Sequence, residues 1–172
     1  MQVAIAVHSS LTKELENKIR RFFENLKCSP TILVGGYWGG MKTVVDEALK
    51  RKLKVIAILP VEREDVELPS EVIRINSGCE YRCRSVILVR SADLVVSLGG
   101  EVGTTIEIFM AYAMGKKTLV LTDTGFSTDR IKNTFQEYFD NRKVMKVDYY
   151  SSPEELAEEV CKPAIQVRTN FG

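Results

Sequence analysis

Two strand-like segments of this chain end in paired glycines, Thr31–Val34 running into Gly35-Gly36 and Asp93–Leu98 into Gly99-Gly100, and a helix-like stretch follows each. This limits the fold severely. A strand that turns on glycine into a helix is half of a strand–helix–strand crossover, and such crossovers let neighbouring strands run parallel. The same rhythm continues along the chain. Strand patterns fall at Val3–Val7, Thr31–Val34, Lys54–Leu59, Glu71–Ile75, Asp93–Leu98, Thr118–Leu121 and Lys143–Val147. Between them lie helical patterns at Leu11–Leu26, at Met41–Arg51, from the Gly99–Thr105 turn to Met114, at Thr128–Phe139 and at Pro153–Val160. In the first, Leu11, Leu15, Ile19, Phe22, Phe23 and Leu26 fall near one face. Gly115 supplies a left-handed helix stop, and Pro153 suits a first turn.

One segment resists this pattern. Ser85–Val89 is rich in β-branched residues and reads by propensity as a strand, yet only three residues separate it from the clearer strand at Asp93. Alternation prefers a helix from Glu80 to Arg90, so pattern alone leaves both readings open. The expected architecture is α/β: a Rossmann-like three-layer α/β/α sandwich with a mainly parallel sheet of about seven strands, one domain over residues 1–172, and a tail from Lys162 that Pro163 keeps from continuing the last helix.

Composition narrows the function classes. With 24 basic and 23 acidic residues the chain has no global field to recruit nucleic acid or an anionic membrane, so we expect neither as a partner. The apolar runs are too short to span a bilayer, which takes roughly 20 residues, and the start enters a strand pattern without a basic leader. That predicts a cytoplasmic protein. The four cysteines, Cys28, Cys79, Cys83 and Cys161, are expected as reduced thiols rather than disulfides or metal ligands, because Cys79-Cys83 has no second close pair and His8 is the only histidine. No cofactor or metal is expected.

In open parallel sheets, ligands bind beyond the carboxyl ends of the strands. Glycines there allow close backbone approach, and a helix starting just afterwards offers unpaired N–H groups and the positive end of its dipole. A phosphate suits such a place. Gly35, Gly36, Gly39, Gly99, Gly100, Gly103, Thr104 and Thr105 are therefore candidate phosphate contacts, with Thr104 and Thr105 adding hydroxyls. Neither turn has P-loop or dinucleotide-fingerprint spacing. The alternative is that the glycines simply permit tight turns.

Gly35-Gly36-Tyr37-Trp38-Gly39-Gly40-Met41, with Val44, Ala48 and Val55–Pro60, resembles the first signature of the Lonely Guy family, historically mislabelled lysine decarboxylases. The second, usually Pro-Gly-Gly-x-Gly-Thr-x-x-Glu, aligns with Gly99-Gly100-Glu101-Val102-Gly103-Thr104-Thr105-Ile106-Glu107 without a gap. Arg84 and Arg90 fall where that family carries helical arginines, which implies that Glu80–Arg90 is a helix. His8-Ser9-Ser10 sits at the family's first small loop, which adds Ser9 and Ser10 to the ligand contacts. The resemblance implies hydrolysis of the N-glycosidic bond of a nucleoside 5′-monophosphate, with Arg84 and Glu107 as the catalytic pair.

Three departures point elsewhere. Gly99 replaces proline, Glu101 replaces the second glycine, and Ser85 replaces the lysine after the motif arginine. These are closer to the small subgroup resembling molybdenum-cofactor carrier proteins, which implies binding without hydrolysis. Structural roles also fit each residue. Thr104-x-x-Glu107 is a capping box, Arg84 could pair with Glu80 one turn earlier, and His8, Tyr37 and Trp38 could be packing residues. A homodimer is expected, because the apolar Val86–Val89 run needs cover beyond one sheet face.

Overall fold

The computed structural model describes residues 1–165 and 167. Its strands are β1 (Gln2–Ala6), β2 (Thr31–Val34), β3 (Val55–Leu59), β4 (Val72–Asn76), β5 (Leu94–Ser97), β6 (Lys117–Leu121) and β7 (Val147–Tyr150), and its helices α1 (Lys13–Asn25), α2 (Gly39–Lys50), α3 (Tyr81–Ser91), α4 (Val102–Ala113), α5 (Ile131–Thr134) and α6 (Pro153–Val160). The strands form one seven-stranded sheet in the order β4-β3-β2-β1-β5-β6-β7. Every pairing is parallel. This is a Rossmann-like α/β fold. The order reverses between β1 and β5, which opens a crevice there.

The two-residue period of β1 sorts its side chains onto both faces. Val3 and Ile5 join the core beneath α1, α2 and α6, while Ala4 and Ala6 face Leu88 and Val89 of α3 and Ala111 of α4. Helix α1 starts where the Thr12 hydroxyl accepts from the Leu15 N–H at 3.1 Å, and it buries Leu15, Ile19, Phe22 and Phe23. Leu11, expected on that face, precedes the cap and is 42% exposed.

The ambiguous segment is helical. Glu80 caps α3 by accepting from the N–H groups of Arg82 and Cys83, and the apolar run divides, with Leu88 and Val89 buried and Val86 at the surface. A crossover between the parallel strands β4 and β5 overrides β-propensity here.

Two expected elements are corrected. In place of a helix over Thr128–Phe139 there is a 3-10 turn, Ser127–Arg130, followed by the single turn of α5. Tertiary packing wins: Phe135 and Phe139 fold onto Phe109, with ring centres 5.5 and 4.2 Å away. The last strand is Val147–Tyr150 rather than Lys143–Val147, because Lys143 has φ 50, in the left-handed region that a strand cannot use. The cysteines are also paired, against expectation. Cys28 and Cys161 join the ends of α1 and α6, which pack together, with Cα atoms 5.4 Å apart. Cys79 lies just outside α3, so non-helical backbone brings it to Cys83. Residues 162–165 lie outside regular structure, and most of the remaining tail lies outside the described residues. Among the described residues no helix is long and apolar enough to cross a membrane.

Candidate functional site

A cavity of about 580 Å³ occupies the crevice, walled by the carboxyl ends of β1 and β2 and by the first turns of α3 and α4. At α4 the backbone donors are open. The N-cap is Glu101, which makes no side-chain cap, and the first intrahelical bond is Thr105 N–H to the Glu101 carbonyl. The N–H groups of Val102, Gly103 and Thr104 therefore have no acceptor within the helix. The Glu101 carboxylate, which would repel an anion, accepts from the Ser127 hydroxyl.

The turn after β2 is occupied by the protein itself. Gly40 donates to the His8 carbonyl at 3.1 Å. Gly39, at φ +51, leaves room for the Ser9 carbonyl, which a Cβ there would meet at 1.7 Å. Gly35 makes room for an arginine: a Cβ there would lie 1.7 Å from Arg84 Nη1. In that space Arg84 Nη1 donates to Glu107 Oε1 at 3.3 Å, and the Ser85 hydroxyl donates to the same oxygen at 2.8 Å. Arg84 Nε is buried without a partner. Burial pushes the Glu107 carboxyl up, against the pull of Arg84 and the Ser85 bond, and it pulls the Arg84 guanidinium down.

Of the residues expected from sequence, Arg84, Glu107, Gly35, Gly103, Thr104 and Ser9 line the cavity. Gly36, Gly39, Gly99, Gly100, Thr105 and Ser10 do not. Gly36 accommodates the Trp38 ring, and Gly99, at φ +106, accommodates Thr124. Gly100 N–H donates to the Thr128 hydroxyl at 3.1 Å. The Thr105 hydroxyl donates to the Glu101 carbonyl, and Ser10 N–H to His8 Nδ1 at 2.7 Å. The capping-box role of Glu107 fails, because α4 starts at Val102 and puts Thr104 inside the helix. Pairing of Arg84 with Glu80 fails too, since Glu80 caps α3. His8 stacks on Phe126 with ring centres 4.8 Å apart.

Two cavity arginines escaped the sequence reading. Arg82 reaches α4, its Nη1 lying 3.3 Å from where a Gly103 Cβ would stand, and Arg63 lies 5.5 Å from the centre of the Trp38 ring. Arg82 could have been found two residues before Arg84. Arg63 sits in a charged stretch that looks merely solvated.

The model of the SLOG cluster4 family matches residues 15–157. The chain belongs to this family. A curated relative of the SLOG cluster4 chain, an uncharacterized protein of Archaeoglobus fulgidus, is 30% identical over 70% of this chain and 80% of its own length. Among solved structures, the structural-genomics target TM1055 superposes with a TM-score of 0.83 at 30% identity, covering 92% of this chain and 97% of the other. The molybdenum cofactor binding protein of Rippkaea orientalis gives 0.72 at 24%, covering 94% and 97%. DNA processing protein A of Helicobacter pylori, a single-stranded DNA binder, gives 0.65 at 14%, covering 93% and 80%. These last two share the fold with the SLOG cluster4 protein, and a fold alone excludes neither small ligands nor nucleic acid.

Proposed function

We propose that the protein binds a nucleotide-like phosphorylated molecule in the cavity and holds it as a carrier or sensor. The observation that carries this reading is the meeting of the open first turn of α4 with Arg82 and the buried Arg84 around one cavity at the sheet's reversal point. Helix N–H groups and guanidinium forks are both donors suited to phosphate oxygens. Gly103 and Thr104 give the phosphate its backbone contacts, and Ser9 closes the cavity from the β1 side. The Rippkaea orientalis protein offers a precedent on this fold for a bound cofactor.

Hydrolysis is the second reading, and the Arg84–Glu107 pair favours it. In that reaction the C1′–N bond breaks, a water oxygen bonds to C1′, and the water's proton goes to the departing base. An ionised carboxylate would stabilise the cationic sugar. Against hydrolysis, Glu101 and Ser85 depart from the hydrolase signature at the site itself, Glu101 in the cavity wall and Ser85 bonded to Glu107. Carriage therefore stands first.

The test is a panel of nucleoside 5′-monophosphates, followed by thermal shift and by chromatography for free base. Carriage predicts a shift without base release, lost in Arg82→Ala. Base release that vanishes in Glu107→Gln would replace carriage with hydrolysis. Exposed Val86 on α3 supports a homodimer, which sedimentation equilibrium tests.

A further inference from the structure

One phosphate at α4 leaves part of the cavity's positive charge unused. Arg82 covers the first turn of α4, and Arg84 is engaged by Glu107. Arg63 has no such engagement. It ends the turn Val61–Arg63 after β3 and rests against Trp38, the N-cap residue of α2. Among the described residues, no carboxylate lies within ion-pair distance of Arg63 or Arg82. The other acidic group of the wall, Glu101, is held by Ser127. The α2 N-terminus cannot serve a second anion, because its glycines are packed against the carbonyls of His8 and Ser9.

The cavity thus has two cationic stations: the first turn of α4 with Arg82, and Arg63 in the turn after β3. Beside them Arg84 buries an Nε that has no protein partner. The volume, about 580 Å³, lies inside the roughly 300–1,000 Å³ of small-molecule sites. Resting on the nucleotide reading of this site, we propose that the ligand carries two linked phosphates, as a nucleoside diphosphate does. One phosphate is held at α4 with Arg82 and the other by Arg63. Arg63 is then the residue that distinguishes diphosphates from monophosphates.

Calorimetric titration with the 5′-mono- and 5′-diphosphates of adenosine, guanosine, cytidine and uridine, in EDTA at fixed salt, tests this. For the preferred base the diphosphate should bind about tenfold tighter or more, as expected for an added charge-assisted contact. Arg63→Ala should erase that preference, lowering diphosphate affinity far more than monophosphate affinity, while Arg63→Lys keeps part of it. The unliganded melting temperature of each variant checks that the fold is intact. Equal affinity for both classes, or an undiminished preference in Arg63→Ala, overturns the diphosphate assignment and leaves the nucleotide reading standing. If none of the eight nucleotides binds, both fall.

Discussion

The turn after β2 and the turn after β5 carry similar glycine patterns but use their backbones in opposite ways. In the first, Gly39 and Gly40 are pressed against the carbonyls of Ser9 and His8, so the start of α2 is filled by the chain's own acceptors. In the second, Gly99 and Gly100 are also spent internally, on Thr124 and Thr128, but the helix begins beyond them at Val102, and its first turn, with N–H groups that have no acceptor within the helix, lines the cavity. Glycine at the end of a strand therefore marks close approach. What approaches, backbone or ligand, depends on how the neighbouring loop is laid.

Substitutions can break this contrast. The largest effect is expected for Gly39→Ala, which combines a left-handed backbone with a 1.7 Å clash on a carbonyl. It should cost on the order of 4 kcal/mol or prevent folding, and wild-type stability in urea denaturation would end the contrast. Gly35→Ala comes next. The three atoms nearest its Cβ would all belong to the Arg84 guanidinium, a side-chain end and not backbone, so about 1–3 kcal/mol is expected, together with loss of ligand-induced thermal shift. A stable variant that still binds would show that Arg84 need not stand there.

Glu107 gives a smaller, pH-dependent effect. Its carboxyl is raised from 4.5 in the folded state, so the fold holds that proton more tightly than the unfolded chain does. The resulting stabilisation is complete below 4.5 and is lost as pH rises through the raised value. Wild type should therefore lose stability relative to Glu107→Gln as pH is raised to neutrality, and parallel denaturation profiles would contradict the assignment. The smallest change is expected for Gly103→Ala, in a helical turn where the Cβ meets only Arg82 Nη1 at 3.3 Å. Stability should hold or rise by up to about 1 kcal/mol, while anion binding weakens because Arg82 is displaced. A loss of stability like that of Gly39→Ala would erase the distinction between the turns.

The sequence makes the alternation, the sheet and the second turn legible because strand and helix periodicities are local. It hides what distant packing decides. The helix expected over Thr128–Phe139 stops after Thr134 because Phe109 and Tyr112 of α4 draw Phe135, Phe139 and Asp140 inward. Cys28 meets Cys161 only because α1 lies along α6. The Arg84–Glu107 pairing shows the same limit. The family resemblance names the two as a pair, but the residues themselves leave each a helix-local role, and it is the juxtaposition of α3 and α4 that makes the contact. Arg63 and Arg82 stayed hidden because an arginine's charge is visible in sequence and the direction it faces is not.

His8 gives this architecture a mechanical link. Its N–H is bonded to the Gly99 carbonyl at 2.9 Å and its own carbonyl to Gly40 N–H at 3.1 Å, so one peptide segment braces the two halves of the sheet across the crevice. Neither turn can shift without loading that brace. With a molecule bound at α4 as proposed, the start of α2 should stiffen as well, and slower deuterium uptake at the Gly40 amide would record its arrival from the opposite side of the crevice.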